Sequence, residues 1–204
     1  KADAALTRTA TYRADLSDVA QPTAQLTLTY ALPHSPPKPC TQIDDTYGTK
    51  GYDDLALGCY WNYLRVLAPA GAKLLKGAAL PTPGGWMWNA LPQPGTAAQA
   101  PGDRGTVELN QFFVAPAGGI IETQLSYSLP PSALRREGSA WVYRLRWQKQ
   151  LGAPALAARV TITLPPGAEL LRAAPAPTAT EGQTLTFELP LTQDVTLEVA
   201  FRAP

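Results

Sequence analysis

Histidine is almost missing from this chain: His34 is the single imidazole among 204 residues. A Ser/His/Asp triad, a histidine-based zinc site or a histidine pH switch would each have to be built on that one side chain. Its neighbour Ser35 does not complete a triad, because consecutive side chains point apart in an extended chain. A surplus of charge is lacking too, since 17 Lys and Arg against 16 Asp and Glu leave a net +1. Nothing there would hold a phosphate backbone, so nucleic acid is not an expected partner. No apolar run reaches the roughly 18 residues of a membrane-spanning helix, and no signal peptide is present. If the protein is exported or anchored, the element responsible is expected outside these residues.

Cysteine is nearly as scarce. Cys40 and Cys59 are the only two, and a polar, loop-like insert separates them. A disulfide closing a loop of that size would contribute roughly 3 kcal/mol in the chain-entropy view. Such a bond persists in an oxidising compartment and predicts an exported protein. The other reading is a pair of free thiols in a cytosolic chain.

What the chain has in abundance is proline, 21 residues, set among short runs in which apolar side chains recur at every second position. Leu26, Leu28, Tyr30 and Leu32 form one such run; Ile121, Leu125, Tyr127 and Leu129 form another. The same period holds over Trp141 to Trp147, Val160 to Leu164, Leu185 to Leu189 and Val195 to Phe201. A period of two is that of a strand with one dry face. Leu32-Pro33, Leu129-Pro130, Leu164-Pro165 and Leu189-Pro190 mark expected strand ends, because proline cannot donate to a ladder. Only the stretch from Ala72 to Leu80 has a weak helical pattern. Tyr60 to Leu67, largely apolar on both faces, reads as a central strand.

An internal repeat organises these strands. Pro69 to Thr82 aligns with Pro165 to Thr178 at an offset of 96, with 8 of 14 positions identical, and Leu28 to Pro33 aligns with Leu125 to Pro130 at an offset of 97. The expected architecture is therefore all-β: two tandem immunoglobulin-like antiparallel β-sandwiches, residues 1–102 and 103–204. The turn-rich stretch from Gln93 to Gly102 supplies the boundary.

The copies differ where contacts would be made. The first carries the stapled insert, in which Asp44, Asp45, Asp53 and Asp54 stand close to Tyr47 and Tyr52. Clustered carboxylates invite a calcium reading, yet the spacing matches no calcium loop, and solvated turn acids explain them better. No metal and no cofactor is expected. Trp86 and Trp88, two apart after Gly84-Gly85, would share one side of a strand and could stack a sugar ring or cap the first sandwich. Adjacent acids do not face each other across a cleft, and Ala115 to Gly119 lacks the Lys-Ser or Lys-Thr of a phosphate loop. No catalytic residue emerges.

The segments Asn62 to Leu75, Gln111 to Gly119 and Tyr143 to Ala155 resemble the C-terminal extracellular part of a bacterial membrane-anchored cell-surface family of unknown function, with Gln148-Lys149-Gln150 as the most distinctive element. That resemblance implies a β-rich fold at the cell surface and no activity. The expected function is a non-catalytic structural or protein-interaction module with a protein partner in the envelope. The alternative is a carbohydrate-binding module using Trp86 and Trp88.

Overall fold

A computed structural model describes residues 5–33, 36–42, 56–150 and 152–204. The alternating segments form strands, as their period requires: β1 (Thr7–Asp15), β2 (Thr23–Ala31), β3 (Tyr60–Ala68), β4 (Lys73–Gly77), β5 (Ala98–Pro101), β6 (Val107–Ala115) and β7 (Ile120–Ser128). The second half supplies β8 (Leu134–Glu137), β9 (Ala140–Trp147), β10 (Leu156–Thr163), β11 (Glu169–Ala174), β12 (Ala179–Glu181), β13 (Thr184–Leu191) and β14 (Val195–Arg202). The protein is all-β, with sheets built mainly of antiparallel pairs.

Three sheets result. Seven strands join in the order β12-β13-β10-β1-β2-β7-β4, four in the order β11-β14-β9-β8 and three in the order β3-β6-β5. On the large sheet the burial pattern alternates strictly: Ala24, Leu26, Leu28 and Tyr30 of β2 are buried, while the threonines between them lie nearer solvent. One face is therefore dry and the other carries Thr, Ser, Gln and ion pairs. Both small sheets lie on the dry face and share one core with it. The three-stranded sheet covers β2 and β7, where Tyr30 stacks on Tyr60 and meets the edge of Phe113 at 5.1 Å. The four-stranded sheet covers β1 and β10, where Tyr12 meets Trp147. The architecture is thus two-layered, with one broad sheet backing two narrow ones.

Pairing does not break at the boundary expected from the sequence. β3 pairs along its whole length with β6, from Tyr60↔Ala115 to Ala68↔Val107, and β2 pairs with β7 from Thr23↔Ser128 onward. The only parallel pair among the described strands, β1 with β10 (Thr9↔Ala157 to Asp15↔Thr163), ties the start of the chain to its second half. Sheets that run through both halves cannot be divided at residue 102. The turn signals there, Pro94-Gly95 and Pro101-Gly102, flank β5 instead of separating two bodies.

The two aligned segments have similar local geometry. In both copies a strand ends in proline, the chain reverses, and an edge strand begins in another sheet: β3 to β4, and β10 to β11. The turns match in detail: Ala72 donates its N–H to the Pro69 carbonyl and Ala168 to the Pro165 carbonyl, each at 3.0 Å, over Gly71 and Gly167 at positive φ. Each edge strand then slips register at the same place, between Leu74 and Lys76 and between Leu170 and Arg172. The extra residue leaves Leu75 and Leu171 pointing outward. That slip breaks the strict two-residue period in β4, which explains why this stretch gave a weak helical pattern.

Two further expectations are corrected. Tyr60 to Leu67 is an outer strand among the described ones, not a central one: β3 has a described neighbour on one side only, and Tyr63 and Leu67 are exposed. Pro190 does not end a strand, since β13 continues to Leu191 with Pro190 opposite Ala157. Proline is tolerated there because β12 accompanies β13 only over Thr184 to Thr186, so no ladder partner awaits the missing N–H on the other side.

Candidate contact surface

Cys40 and Cys59 are bonded to each other, with Cα atoms 5.7 Å apart, and Cys40 is buried. Asp44, Asp45, Tyr47, Tyr52, Asp53 and Asp54, together with His34, lie outside the described residues. What can be followed is the segment just after Cys40. Gln42 donates its backbone N–H to the Trp86 carbonyl at 2.8 Å and accepts the Trp88 N–H on its side-chain oxygen at 3.1 Å. The stapled segment and the tryptophan segment therefore form one surface, joined through a glutamine that the sequence did not single out.

The tryptophans are not neighbours on a strand. Pro83 and the following glycines wind into a single 3-10 turn over Gly84–Trp86, in which Trp86 donates to the Pro83 carbonyl and Met87 to the Gly84 carbonyl. A helical turn breaks the strand alternation, so the two indoles point differently. Trp86 is half-buried, Met87 between them is buried, and Trp88 is 72% exposed. The chain then returns through Ala90 at φ 57, with Leu91 donating to the Asn89 side chain. Gly84 must be glycine, because a Cβ there would overlap the Ala90 carbonyl oxygen.

The base of this loop is rigid. Thr82 and Gln93 exchange backbone hydrogen bonds at 2.9 and 3.0 Å, and Thr82 is buried. Below it, Gln111 of β6 donates from Nε2 to the carbonyls of Ala78 and Gly95, both at 2.6 Å, and accepts from the Thr123 hydroxyl of β7. At the tip Trp88 and Leu91 present apolar surface to solvent. Two large apolar groups held out on one loop make it the candidate contact surface.

Removing both cysteines as Cys40→Ser and Cys59→Ser is expected to lower stability by about 3 kcal/mol from loop-closure entropy. Equilibrium unfolding in urea, compared with the parent protein, measures it. A change within error would show that closing this loop constrains the unfolded chain little.

The fold and this surface define an all-β domain: a broad sheet with a polar outer face, two smaller sheets and an apolar loop joined to the disulfide-linked segment. No helix among the described residues is long and apolar enough to cross a membrane, and no three metal-binding side chains gather among them.

No protein-family model matches the chain, and no curated protein matches it in sequence. Solved structures that the chain matches include an M1 zinc metallopeptidase from Deinococcus radiodurans, 13% identical over 98% of this chain and 44% of that one, with a TM-score of 0.42. Yeast LTA4 hydrolase is 6% identical over 97% of this chain and 29% of its own, with a TM-score of 0.44. The Fcho1 Mu homology domain of Danio rerio, with bound Eps15 peptide, is 12% identical over 98% and 80%, with a TM-score of 0.30. The chain spans less than half the length of the metallopeptidases it matches. At these scores the likenesses assign no activity.

Proposed function

We propose that the chain is a non-catalytic interaction module of an exported bacterial cell-surface protein, docking a protein partner through the loop that carries Trp88 and Leu91. The observation behind this reading is the exposure of those two side chains, 72% and 60%, on a loop whose base is held by buried hydrogen bonds. An exposed aromatic anchor on a rigid base loses little conformational entropy on binding, which is the character of an interface hot spot. The disulfide supports an oxidising compartment. The matched turns and bulged edge strands support an origin of the two halves in a duplicated sandwich unit.

The test is retention of an envelope protein by the immobilised chain. Trp88→Ala with Leu91→Ser is expected to abolish retention of a specific partner while leaving the unfolding transition unchanged. An identical retained set with the variant would sink the reading. If glycans on an array, rather than a protein, are lost with Trp88→Ala, the surface is a carbohydrate-binding one.

A further inference from the structure

The two small sheets do not meet over the large one. Between them runs a groove with one part of about 840 Å³ and an adjoining part of about 360 Å³, bordered in common by Tyr12, Leu67, Tyr127, Leu145, Arg146 and Gln148. Its floor is the dry face of β1, β2 and β7. One bank is β3, where the consecutive residues Leu64, Arg65, Val66 and Leu67 line it; the other is β9 and its continuation, from Leu145 through Gln150. Side chains alternate along a strand, so consecutive residues reach the same space only where the strand presents its edge.

Among the described residues those edges are unpaired. β3 is the outer strand of its sheet, and β8 accompanies β9 no further than Tyr143. A free strand edge beside a groove is a template for an added strand.

The charge along the groove has one dominant sign. Arg65 and Arg104 stand on the three-stranded side, Arg135, Arg144 and Arg146 on the four-stranded side, and Arg8 and Lys149 at one end. Asp103 is the one acid among the lining residues. The carboxylates that orient Arg65 and Arg144 sit behind them, whereas Arg146 and Arg135 pair with the half-exposed Asp194 and Glu137. Glu108 is 10% exposed against 52% for Arg65, and Glu198 is 17% exposed against 51% for Arg144. The groove thus meets guanidinium groups already fixed in direction, each with donors to spare. Arg104 has no ion-pair partner among the described residues, and it is held at φ 53 in the hairpin turn between β5 and β6.

The floor adds neutral hydroxyl groups. The hydroxyls of Tyr12 and Tyr143 lie 2.8 Å apart, and both rings are buried. The Tyr127 hydroxyl also meets that of Tyr12, so the three phenols form one buried hydroxyl cluster at the floor. Leu26, Leu28, Val66 and Trp147 make the rest of the lining apolar.

We propose that this groove receives an extended acidic polypeptide segment, whose backbone pairs with the free edge of β3 and whose carboxylates meet Arg65, Arg104, Arg144 and Arg146. Apolar lining and open strand edges favour a peptide over a polyanionic glycan, which has no backbone ladder to offer. The site is separate from the Trp88 loop and does not depend on it.

The probe is a fluorescent peptide of about ten residues alternating Glu and Val, followed by anisotropy with the intact chain. Binding that weakens as salt rises is expected, together with no binding of the peptide carrying Lys in place of Glu. Arg104→Gly with Arg146→Ala is expected to weaken binding about tenfold, a loss on the scale of two partly exposed charge pairs. Glycine accepts the backbone angle at 104 more readily than arginine, so this variant keeps its fold. Methylating alternate backbone nitrogens of the peptide is expected to weaken binding by a similar factor. Equal binding of the Lys peptide, no effect of the double variant, or absence of binding overturns the proposal. So does a heparin oligosaccharide that competes as tightly as the peptide, since the groove would then read charge alone. Trp88→Ala leaves this binding unchanged, which separates the two sites.

Discussion

Above pH 10 the protein is expected to lose about 4 kcal/mol of stability per pH unit, beyond any loss from its other groups. Tyr12, Tyr127 and Tyr143 are the cause. All three are buried in the core between the large and four-stranded sheets, and burial, as the largest influence on each, pushes its phenol well above the ordinary value of 10.0. In the unfolded chain these phenols ionise near 10; in the folded protein they stay neutral. Their contribution is complete below the unfolded value and is lost as pH climbs from there toward the folded values. Each phenol accounts for about 1.4 kcal/mol per unit. Urea unfolding at a series of alkaline pH values measures the slope. Tyr127→Phe, which leaves the Tyr12 to Tyr143 hydrogen bond in place, should reduce it by about a third. A slope unchanged by that substitution would show that Tyr127 titrates alike in both states. The same experiment has an optical counterpart: of the eight tyrosines, these three should form tyrosinate only as the fold is lost.

Replacing Gln111 by Leu is expected to destabilise the protein by about 3 to 6 kcal/mol. The side chain is 1% exposed, and its amide ties β6 to the loop segments at Ala78 and Gly95 and to β7 through Thr123. A leucine fills the space but leaves the Ala78 carbonyl and the Thr123 hydroxyl without their partner, at about 1 to 3 kcal/mol for each, and the Gly95 carbonyl with the Leu80 N–H alone. The geometry gives no room for the chain to move aside. Gly95 is at φ 61, and a Cβ there would overlap the Leu80 carbonyl, so the backbone is already in closest contact. Gln111→Glu should be nearly as severe, because the carboxylate accepts where the amide must donate. Thermal unfolding reads both. A loss below about 1 kcal/mol would mean that water replaces the amide at both carbonyls.

These two sites differ in how far the sequence announces them. Tyr127 and Tyr143 sit on alternating runs whose dry face is visible from Leu125 or Leu145 two residues away, so burial could be anticipated, although the meeting of their hydroxyl groups with Tyr12 could not. β1 itself, Thr-Arg-Thr-Ala-Thr-Tyr-Arg-Ala-Asp, has small alanines on its buried face and thus a faint apolar period. Gln111 gives no signal, since it follows Asn110 as one more polar residue of β6 and its partners are distant loop carbonyls and a hydroxyl of β7. The strands of the second half were legible because Val, Ile, Leu and Phe recur cleanly at every second position. The sheet order was not, because a two-residue period fixes which side of a strand is dry and leaves open which strand lies beside it. The tryptophan loop shows the reverse error. Trp86 and Trp88 looked like strand neighbours, and the Gly84-Gly85 pair was the sign of a turn that placed them apart.

The parallel pairing of β1 with β10 bears on the order in which the molecule assembles. Thr9 meets Ala157, so during synthesis the second flank of β1 waits until most of the chain has emerged. Closing so long a loop is entropically late and slow. The β3-β6 pair has a much shorter separation, from Ala68↔Val107 to Tyr60↔Ala115, and the β2-β7 pair a somewhat shorter one, so both can form first, with β1 attached to β2 as a provisional sheet edge. Pulse-labelled hydrogen exchange during refolding should accordingly show the β10 amides that face β1 protected after those of β6 and β7; protection in the same phase would mean that the two halves condense together. A chain ending before residue 156 would keep that edge exposed, and its Thr-rich strand would be open to pairing with another copy.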